Sequence, residues 1–251
     1  MFTTVGIIPA RYASTRFPGK PLALIQNKPM IQWVYENTLA TTLLDEVIVA
    51  TDDVRIQEVV HNFGGKAVLT SITHESGTER CAEIAHKLLQ NKQVDGNSII
   101  INIQGDEPLV NVQQLQTLLH TMQYATIATL IKATEASTVH NPNIVKVVTN
   151  IHHQALYFSR AAIPASRDEQ ASASYYKHIG MYAYTVETLL AITKLPICDV
   201  ENIEKLEQLR WLYNGYSIHT AITTTENKAI DTPQDLIELV AYLEKNSINL
   251  P

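Results

Sequence analysis

The stretch Val5–Pro21, VGIIPARYASTRFPGKP, indicates both a fold class and the position of a ligand site. Its first five residues are an apolar run that predicts a buried β-strand. The loop that follows carries three cations, Arg11, Arg16 and Lys20, among small residues that let a ligand approach the backbone. Loops at the carboxyl ends of parallel strands bind ligands, and these cations favour phosphate oxygens. We therefore predict a phosphate-binding loop, with a solvated basic loop as the alternative.

Short apolar runs alternate with helical patterns through the first half of the 251-residue chain. This order is typical of an α/β protein with a mostly parallel central sheet and flanking helices. We predict one domain, residues 1–251, with an inserted lobe around residues 130–185. Elements that matter below are a strand Glu46–Thr51, an exposed polar loop Ser166–Ser174, a helix Glu201–Tyr213, and a closing helix Thr232–Glu244 capped by Thr232 and Asp235.

Composition narrows the class of protein. A formal net charge of −6 argues against a nucleic-acid partner, which needs a basic surface. Cys81 and Cys198 have neither zinc-site nor disulfide spacing, which indicates a reducing compartment. No apolar run approaches the roughly 20 residues of a membrane helix. We expect a cytoplasmic protein without a membrane partner.

A second polar motif, QGDEP at Gln104–Pro108, follows the most apolar strand of the chain. Mg²⁺ commonly takes one or two carboxylates, with phosphates and water completing its octahedron, so Asp106 is the candidate metal ligand. Asp231 is the candidate second carboxylate because its neighbours already cap the last helix. The alternative is that Asp106 or Glu107 caps the helix that starts near residue 111.

The segment HESGTER, His74–Arg80, combines a glycine turn with hydroxyl groups at a predicted helix start. Such a helix start can bind an anion, and an ordinary capping turn is the alternative.

Neither a Walker loop nor a G-x-G-x-x-G fingerprint occurs in the chain, which argues against a dinucleotide-binding oxidoreductase.

Together, these segments resemble the 3-deoxy-manno-octulosonate (KDO) cytidylyltransferase family. The matching segments appear in the family's order over nearly the whole chain: IPARYASTRFPGKPL (Ile8–Leu22), HESGTER (His74–Arg80), NIQGDEPL (Asn102–Leu109), NPNIVKVV (Asn141–Val148), ALYFSRAAIP (Ala155–Pro164), HIGMYAY (His178–Tyr184), LEQLR (Leu206–Arg210) and DTPQDL (Asp231–Leu236).

The resemblance implies a nucleotide-diphospho-sugar transferase fold and a Mg²⁺-dependent reaction of CTP with KDO. The products would be CMP-KDO and pyrophosphate, for lipopolysaccharide biosynthesis. It also implies a homodimer whose contact is made by the inserted lobe with the Ile179–Tyr184 strand.

The resemblance assigns roles to individual residues. Arg11, Lys20, Asp106 and Asp231 would be catalytic, and the last two would bind the metal. The nucleotide would be bound by Pro9, Ala10, Arg11, Ser14, Arg16, Lys20, Ser76, Arg80 and Gly105. The sugar would be bound by Gln104, Arg160, His178, Tyr182 and Glu207, with Arg160 facing the KDO carboxylate.

Some alternatives stay open. His178 alone is more typical of an interior histidine, and Glu207 of a solvated helix face shared with Glu201 and Glu204. After Pro164, the run Ala165–Glu169 lacks the aromatic and second arginine expected of the family, so we leave this loop out of the site. Another acidic sugar, such as a sialic acid or an amino variant of KDO, is an alternative substrate. A catalytically inactive nucleotide or sugar sensor is the alternative of a different class.

Overall fold

The computed structural model describes residues 1, 3–167 and 174–246. They fall into two compact units, Met1–Val112 with Asn227–Pro251, and Gln113–Glu226. Most of the predicted polar loop, residues 168–173, lies outside the described residues. The interpretation as one domain with a lobe at residues 130–185 stays a prediction.

The first unit is built on a parallel sheet, and elements are numbered along the whole chain. Four strands of this unit form the sheet, in the order β5-β4-β1-β6, and all of them are parallel. Its elements are β1 (Thr4–Ala10), β2 (Leu24–Ile25), β3 (Lys28–Pro29), α1 (Met30–Ala40), β4 (Glu46–Thr51), α2 (Val54–Asn62), β5 (Ala67–Leu69), α3 (Gly77–Gln90), β6 (Ile99–Asn102) and α8 (Pro233–Lys245).

Strand β1 lies inside this sheet, between β4 and β6, which explains its apolar sequence. Val5, Ile7 and Ile8 are completely buried although they point to opposite faces of the sheet, because both faces of this strand are covered. Since the strands are parallel, the loops after β1, β4, β5 and β6 leave from the same edge of the sheet. That edge is where the predicted phosphate loop and the acidic motif meet.

The closing helix begins as predicted. Thr232 accepts a hydrogen bond from the Asp235 backbone N–H, Asp235 accepts one from the Thr232 N–H, and Pro233 occupies the first turn. This reciprocal arrangement satisfies backbone donors that a helix start otherwise leaves unpaired. The cap therefore fixes the chain direction just after Asp231.

The second unit is mostly antiparallel. β10 pairs with β7 and β8, and β8 with β9, all antiparallel, whereas β11 pairs with β7 in parallel. Its elements are α4 (Val112–Thr121, which starts at the boundary), β7 (Ile127–Thr134), β8 (Lys146–Thr149), β9 (Ala155–Ser159), β10 (Tyr175–Thr185), α5 (Val186–Ile192), α6 (Asp199–Glu204), α7 (Gln208–Tyr213) and β11 (His219–Ile222).

The prediction of one helix over Glu201–Tyr213 is wrong, because the chain forms α6 and α7 with a break between them. Lys205 takes a left-handed conformation, with φ 53°. Arg160 donates from Nε to the Glu204 carbonyl at 2.7 Å and from Nη2 to the Lys205 carbonyl at 3.5 Å. These two carbonyls thus accept hydrogen bonds from a side chain distant in sequence, and not from the backbone N–H groups of a continuing helix.

The predictions on membrane helices and on disulfides can be compared with the structure. Within the described residues, no helix is both long and apolar enough to cross a bilayer. Cys81 and Cys198 are both buried and form no disulfide.

Candidate active site

A pocket of about 270 Å³ opens at the carboxyl edge of the first unit's sheet. Its wall contains every residue predicted to bind nucleotide or metal, and Gln104 of the predicted sugar set. The lining residues are Pro9, Ala10, Arg11, Ser14, Arg16, Lys20, Pro21, His74, Glu75, Ser76, Gly77, Arg80, Gln104, Gly105, Asp106 and Asp231. The structure brings these residues together, and their individual roles stay predictions.

The cationic loop after β1 is closed by a backbone turn. The Gly19 N–H donates to the Tyr12 carbonyl at 2.9 Å, and Gly19 itself has a φ of 71°, a left-handed conformation that suits glycine. A Cβ at this position would lie 3.2 Å from the Tyr12 ring. Directly after it, Lys20 starts a single 3₁₀ turn, Lys20–Leu22. The turn therefore sets where the Lys20 side chain leaves the backbone.

Lys20 reaches the two acidic residues that were predicted as metal ligands. Its Nζ lies 2.6 Å from Asp106 Oδ2 and 3.9 Å from Asp231 Oδ1. Arg16 donates from Nη2 to the same Asp231 oxygen at 2.9 Å. Arg11 is exposed and forms no ion pair with any described residue. Two carboxylates and three cations thus share one wall of the pocket.

Backbone contacts explain why Asp231 lies beside Asp106 although they are far apart in sequence. The Ile230 N–H donates to the Asp106 carbonyl at 2.9 Å. Three residues before Ile230, the Asn227 amide donates to Glu107 Oε2 at 2.9 Å. The segment before α8 is therefore tied to the loop after β6. Glu107 takes part in this attachment and does not line the pocket.

Gly105 permits a close approach, though of the protein's own backbone. A Cβ at Gly105 would lie 2.6 Å from the Pro9 carbonyl oxygen, a distance at which backbone atoms must move. Only glycine lets the loop after β6 pass this close to the end of β1. The residue therefore helps to bring Asp106 to the same part of the pocket as the loop after β1.

The HESGTER segment forms the capping turn that starts α3, and anion binding there stays a prediction. Ser76 accepts from the Glu79 backbone N–H and Glu79 reciprocates, so a capping box is present. Ser76 also lines the pocket. Arg80 is buried and its guanidinium binds Asp52 at 2.5 Å and the Thr70 hydroxyl at 2.9 Å. These bonds join the loop after β4, which carries Asp52, to the loop after β5, which carries Thr70.

His74 lines the pocket and was not among the predicted site residues. Its Nε2 lies 2.6 Å from Glu83 Oε2. Burial raises the pKa of Glu83, but hydrogen bonds from Lys87, the Ser71 N–H and His74 outweigh it and hold the pKa at about 2. Glu83 lies within the amphipathic pattern of α3, so no sequence signal indicates that it bonds a pocket residue.

The acidic pair fits a magnesium ion that completes its coordination with phosphate. Within the described parts of the chain, no group of three or more His, Cys, Asp or Glu side chains is arranged to hold a metal. Mg²⁺ does not require such a cage, since one or two carboxylates with phosphate and water suffice. Asp106 and Asp231 offer that donor set, and an ammonium group already lies between them.

The other four predicted sugar residues lie in the second unit. Arg160 is extensively bonded there: besides its bonds to the two carbonyls at the helix break, Nη1 donates to the Pro142 carbonyl at 3.0 Å. Lys146, which is completely buried, donates to the Arg160 carbonyl and to that of Ile144 at 2.7 Å. Arg160 is thus held on several sides, and its role toward a sugar carboxylate stays a prediction.

His178 and Tyr182 meet because β10 is irregular. Their ring centroids are 5.2 Å apart, whereas residues four apart in a regular strand are separated by about 13 Å. Between Ile179 and Tyr182 the pairing register to β7 shifts. Thr129 Oγ1 sits at the irregularity, 2.9 Å from the Met181 carbonyl and 2.9 Å from His178 Nε2. Because the carbonyl takes the hydroxyl proton, His178 donates from Nε2.

Burial perturbs both rings. It lowers the pKa of His178 to about 4, so the imidazole is neutral at physiological pH. Burial, with a contribution from the negative charge of Glu207, raises the pKa of Tyr182 well above its usual value. The Tyr182 hydroxyl is buried without a partner at full hydrogen-bond geometry among the described residues, although the nearby Thr129 hydroxyl opposes part of this rise in pKa. An interior histidine and a functional one are both compatible with this environment, so the sugar-binding role stays a prediction.

The idea of a solvated glutamate face is wrong for Glu201 and Glu204. Glu201 is buried and pairs with Arg210 through two hydrogen bonds, of 2.6 and 2.7 Å. Glu204 accepts from the Ser159 hydroxyl at 2.6 Å and from the Arg160 N–H at 2.9 Å. Glu207 is half-buried at the start of α7.

Comparison with known proteins identifies the family to which the chain is similar. A family model described as cytidylyltransferase matches residues 5–222. The 3-deoxy-manno-octulosonate cytidylyltransferase of Cytophaga hutchinsonii is 51% identical, over 94% of this chain and 95% of that protein. The protein of the same name from Parabacteroides distasonis is 48% identical, over 97% of this chain and 99% of that protein.

A solved structure points the same way. CMP:2-keto-3-deoxy-manno-octonic acid synthetase complexed with CTP is 43% identical and superposes with a TM-score of 0.90, over 97% of this chain and 99% of that one. The predicted nucleotide-diphospho-sugar transferase fold is confirmed by this match. With relatives this similar over nearly their full length, the chain belongs to the 3-deoxy-manno-octulosonate cytidylyltransferase family.

Proposed function

We propose that this protein transfers CMP from CTP to the anomeric hydroxyl of KDO, releasing pyrophosphate, as a step of lipopolysaccharide biosynthesis. The observation that carries the proposal is the pocket in which Lys20 and Arg16 meet Asp106 and Asp231. The names of the relatives supply the identity of the nucleotide and of the sugar.

The cations of the loop after β1 would bind the triphosphate. In the reaction, the anomeric oxygen attacks the α-phosphorus, an O–P bond forms, and the bond between the α-phosphorus and the pyrophosphate oxygen breaks. The hydroxyl proton is released. Positioning and charge stabilisation dominate catalysis of such transfers. Arg11, Arg16 and Lys20 line the pocket and would supply positive charge to the pyrophosphate as it gains negative charge.

Asp106 and Asp231 would hold Mg²⁺. When bound, the ion would neutralise phosphate charge and lower the pKa of the attacking hydroxyl. The backbone segments that carry the two side chains are joined by the Ile230–Asp106 hydrogen bond, and the cap of α8 sets the chain direction after Asp231. Both carboxylates line the pocket and could supply oxygen ligands there.

Arg160, His178, Tyr182 and Glu207, with Gln104 of the pocket, form the proposed sugar set. Supporting this are the buried Tyr182 hydroxyl, which lacks a partner at full hydrogen-bond geometry among the described residues and could bond a ligand hydroxyl, and the neutral His178 ring beside it. The homodimer is a further proposal that rests on the family resemblance, and the cytoplasmic location is one that rests on the cysteine usage and the apolar pattern of the sequence. Light scattering of the purified protein would test the first.

The direct test is pyrophosphate release from the purified protein with CTP and Mg²⁺, comparing KDO, 8-amino-KDO and N-acetylneuraminate. We expect release with KDO that stops when the metal is chelated. Release with only one of the other sugars would refute KDO as the acceptor. CTP binding without release from any of the sugars would favour a nucleotide sensor.

A further inference from the structure

The pocket contains an internal cation at the place where an external one is expected. Lys20 Nζ contacts Asp106 at 2.6 Å and approaches Asp231 to 3.9 Å. We propose that Lys20 holds the place of the metal ion in the nucleotide-free protein and that the triphosphate draws it away. The proposal rests on the proposed function, since it takes Asp106 and Asp231 as metal ligands and Lys20 as a phosphate ligand.

Burial shows that this ammonium group is seated in the site. The Lys20 side chain is 15% exposed, whereas Arg16, which pairs with Asp231 from the other side, is 66% exposed. A partly desolvated ion pair is stronger than one in water, because the surrounding dielectric constant is lower. Mg²⁺ entering the nucleotide-free pocket must therefore displace Lys20 from Asp106, and the ammonium group must find another partner.

The triphosphate supplies that partner. The backbone at Lys20 is held by the Gly19 turn, whose N–H bonds the Tyr12 carbonyl. Beyond this anchor, lysine has a flexible four-carbon stem, so Nζ can leave the carboxylate without movement of the loop. A phosphate oxygen would take the ammonium group and leave Asp106 to the metal.

This exchange makes metal and triphosphate binding cooperative. The metal alone competes with Lys20, whereas after the triphosphate has bound it no longer does. Since coupling between two sites is reciprocal, the metal also favours the triphosphate. The structure thus assigns to Lys20 a second role, which is to keep the metal site closed to metal in the absence of nucleotide.

The test is Mn²⁺ binding without nucleotide, measured by the loss of the free-ion signal in electron paramagnetic resonance. We expect weak binding to the unaltered protein. Lys20→Met removes the charge at similar length and should tighten binding by about 5- to 150-fold, the usual range for coupled sites. Lys20→Arg keeps the charge and should remain weak. Lys28→Met is the matched control, because Lys28 pairs with Glu36 and does not line the pocket.

A second substitution locates the bound ion. Adding Asp106→Asn to Lys20→Met should abolish the tighter Mn²⁺ binding of the single variant. Circular dichroism would establish that each variant is folded. If folded Lys20→Met binds Mn²⁺ no more tightly than the unaltered protein, the place-holding role is wrong. If Lys20→Met does not fold, tight nucleotide-free binding by Lys20→Arg or by the unaltered protein would equally overturn it. Failure of the proposed function would instead appear in the pyrophosphate assay, which this binding measurement does not use.

Discussion

Two arginine–carboxylate pairs, one in each unit, differ strongly in their exposure. In the pocket of the first unit, the partners Arg16 and Asp231 are 66% and 46% exposed. In the second unit, Arg210 and Glu201 are each 11% exposed and share two short hydrogen bonds. Both are arginine–carboxylate pairs, so the difference lies in their exposure.

Exposure determines whether an ion pair can be exchanged for a ligand. A solvated pair contributes about 0–1 kcal/mol, so a triphosphate or metal can replace one partner at small cost. A buried pair cannot lose a partner without leaving an uncompensated charge out of water. The comparison teaches that the Arg16–Asp231 pair can be exchanged for a ligand at small cost, whereas the Arg210–Glu201 pair helps to hold the second unit together.

The largest effect should come from breaking the buried pair. Arg210→Met leaves the Glu201 carboxylate buried without its partner, and we expect the free energy of unfolding to fall by about 3–5 kcal/mol. Urea denaturation followed by circular dichroism measures it. Adding Glu201→Met removes the stranded charge and should restore most of the loss. A loss below about 1 kcal/mol for Arg210→Met would remove the distinction between the two units.

The next effect concerns the pocket, where loss of charge should impair turnover and spare the fold. Asp106→Asn keeps the shape but removes the negative charge expected at the metal. We expect kcat to fall by about 10²–10³-fold, typical for loss of one preorganised electrostatic group. Steady-state pyrophosphate release measures it, with thermal unfolding as the check on folding.

Glu107→Gln provides the matched control for this variant. It makes the same change one residue along the chain, where the side chain bonds Asn227 and does not line the pocket. Its turnover should stay near normal. Equal losses in the two variants would mean that the loop, and not the Asp106 charge, matters.

Local sequence signals predicted the parts of the molecule that local physics determines. Strand Glu46–Thr51 was predicted to the residue from its apolar run, and the Thr232–Asp235 cap from its side-chain chemistry. The cationic loop was located because charge placed after a buried strand has few structural explanations. These features depend on neighbours within a few residues.

Contacts between distant residues could not be predicted in this way. The break at Lys205 depends on Arg160, whose guanidinium takes the helix carbonyls from 44 residues away. The meeting of His178 and Tyr182 depends on a register shift around Thr129. Neither leaves a periodic trace in the sequence. For the same reason the resemblance to the family, and not the residue pattern, suggested the sugar-binding residues.

A smaller effect should appear in the pH dependence of stability. Folded His178 has a pKa of about 4, below the value of 6.5 for an exposed histidine, so the unfolded state binds the proton more readily. The contribution of the neutral His178 to the free energy of unfolding is complete above about pH 7 and is lost as the pH falls toward about 4. A pKa difference of this size corresponds to about 3 kcal/mol.

Comparison with His178→Gln isolates this contribution, because glutamine can still donate to Thr129 but does not titrate. We expect the loss of unfolding free energy between about pH 7.5 and about pH 4.5 to be smaller in the variant. His219, whose pKa burial also lowers, acts in both proteins and cancels. Identical pH dependence would show that His178 is not a buried neutral group.

The smallest change in stability should come from Arg16→Met, which tests whether the Arg16–Asp231 pair is replaceable. Because its pair with Asp231 is exposed, the free energy of unfolding should fall by no more than about 1 kcal/mol. The KM for CTP should nevertheless rise, since a phosphate-binding guanidinium is lost. Lys228→Met, which breaks an equally exposed pair with Glu238 away from the pocket, should change stability similarly and leave KM unaltered. If Arg16→Met costs several kcal/mol, the pair belongs with Arg210 and Glu201 as a structural contact, and the pocket loses one of its exchangeable charges.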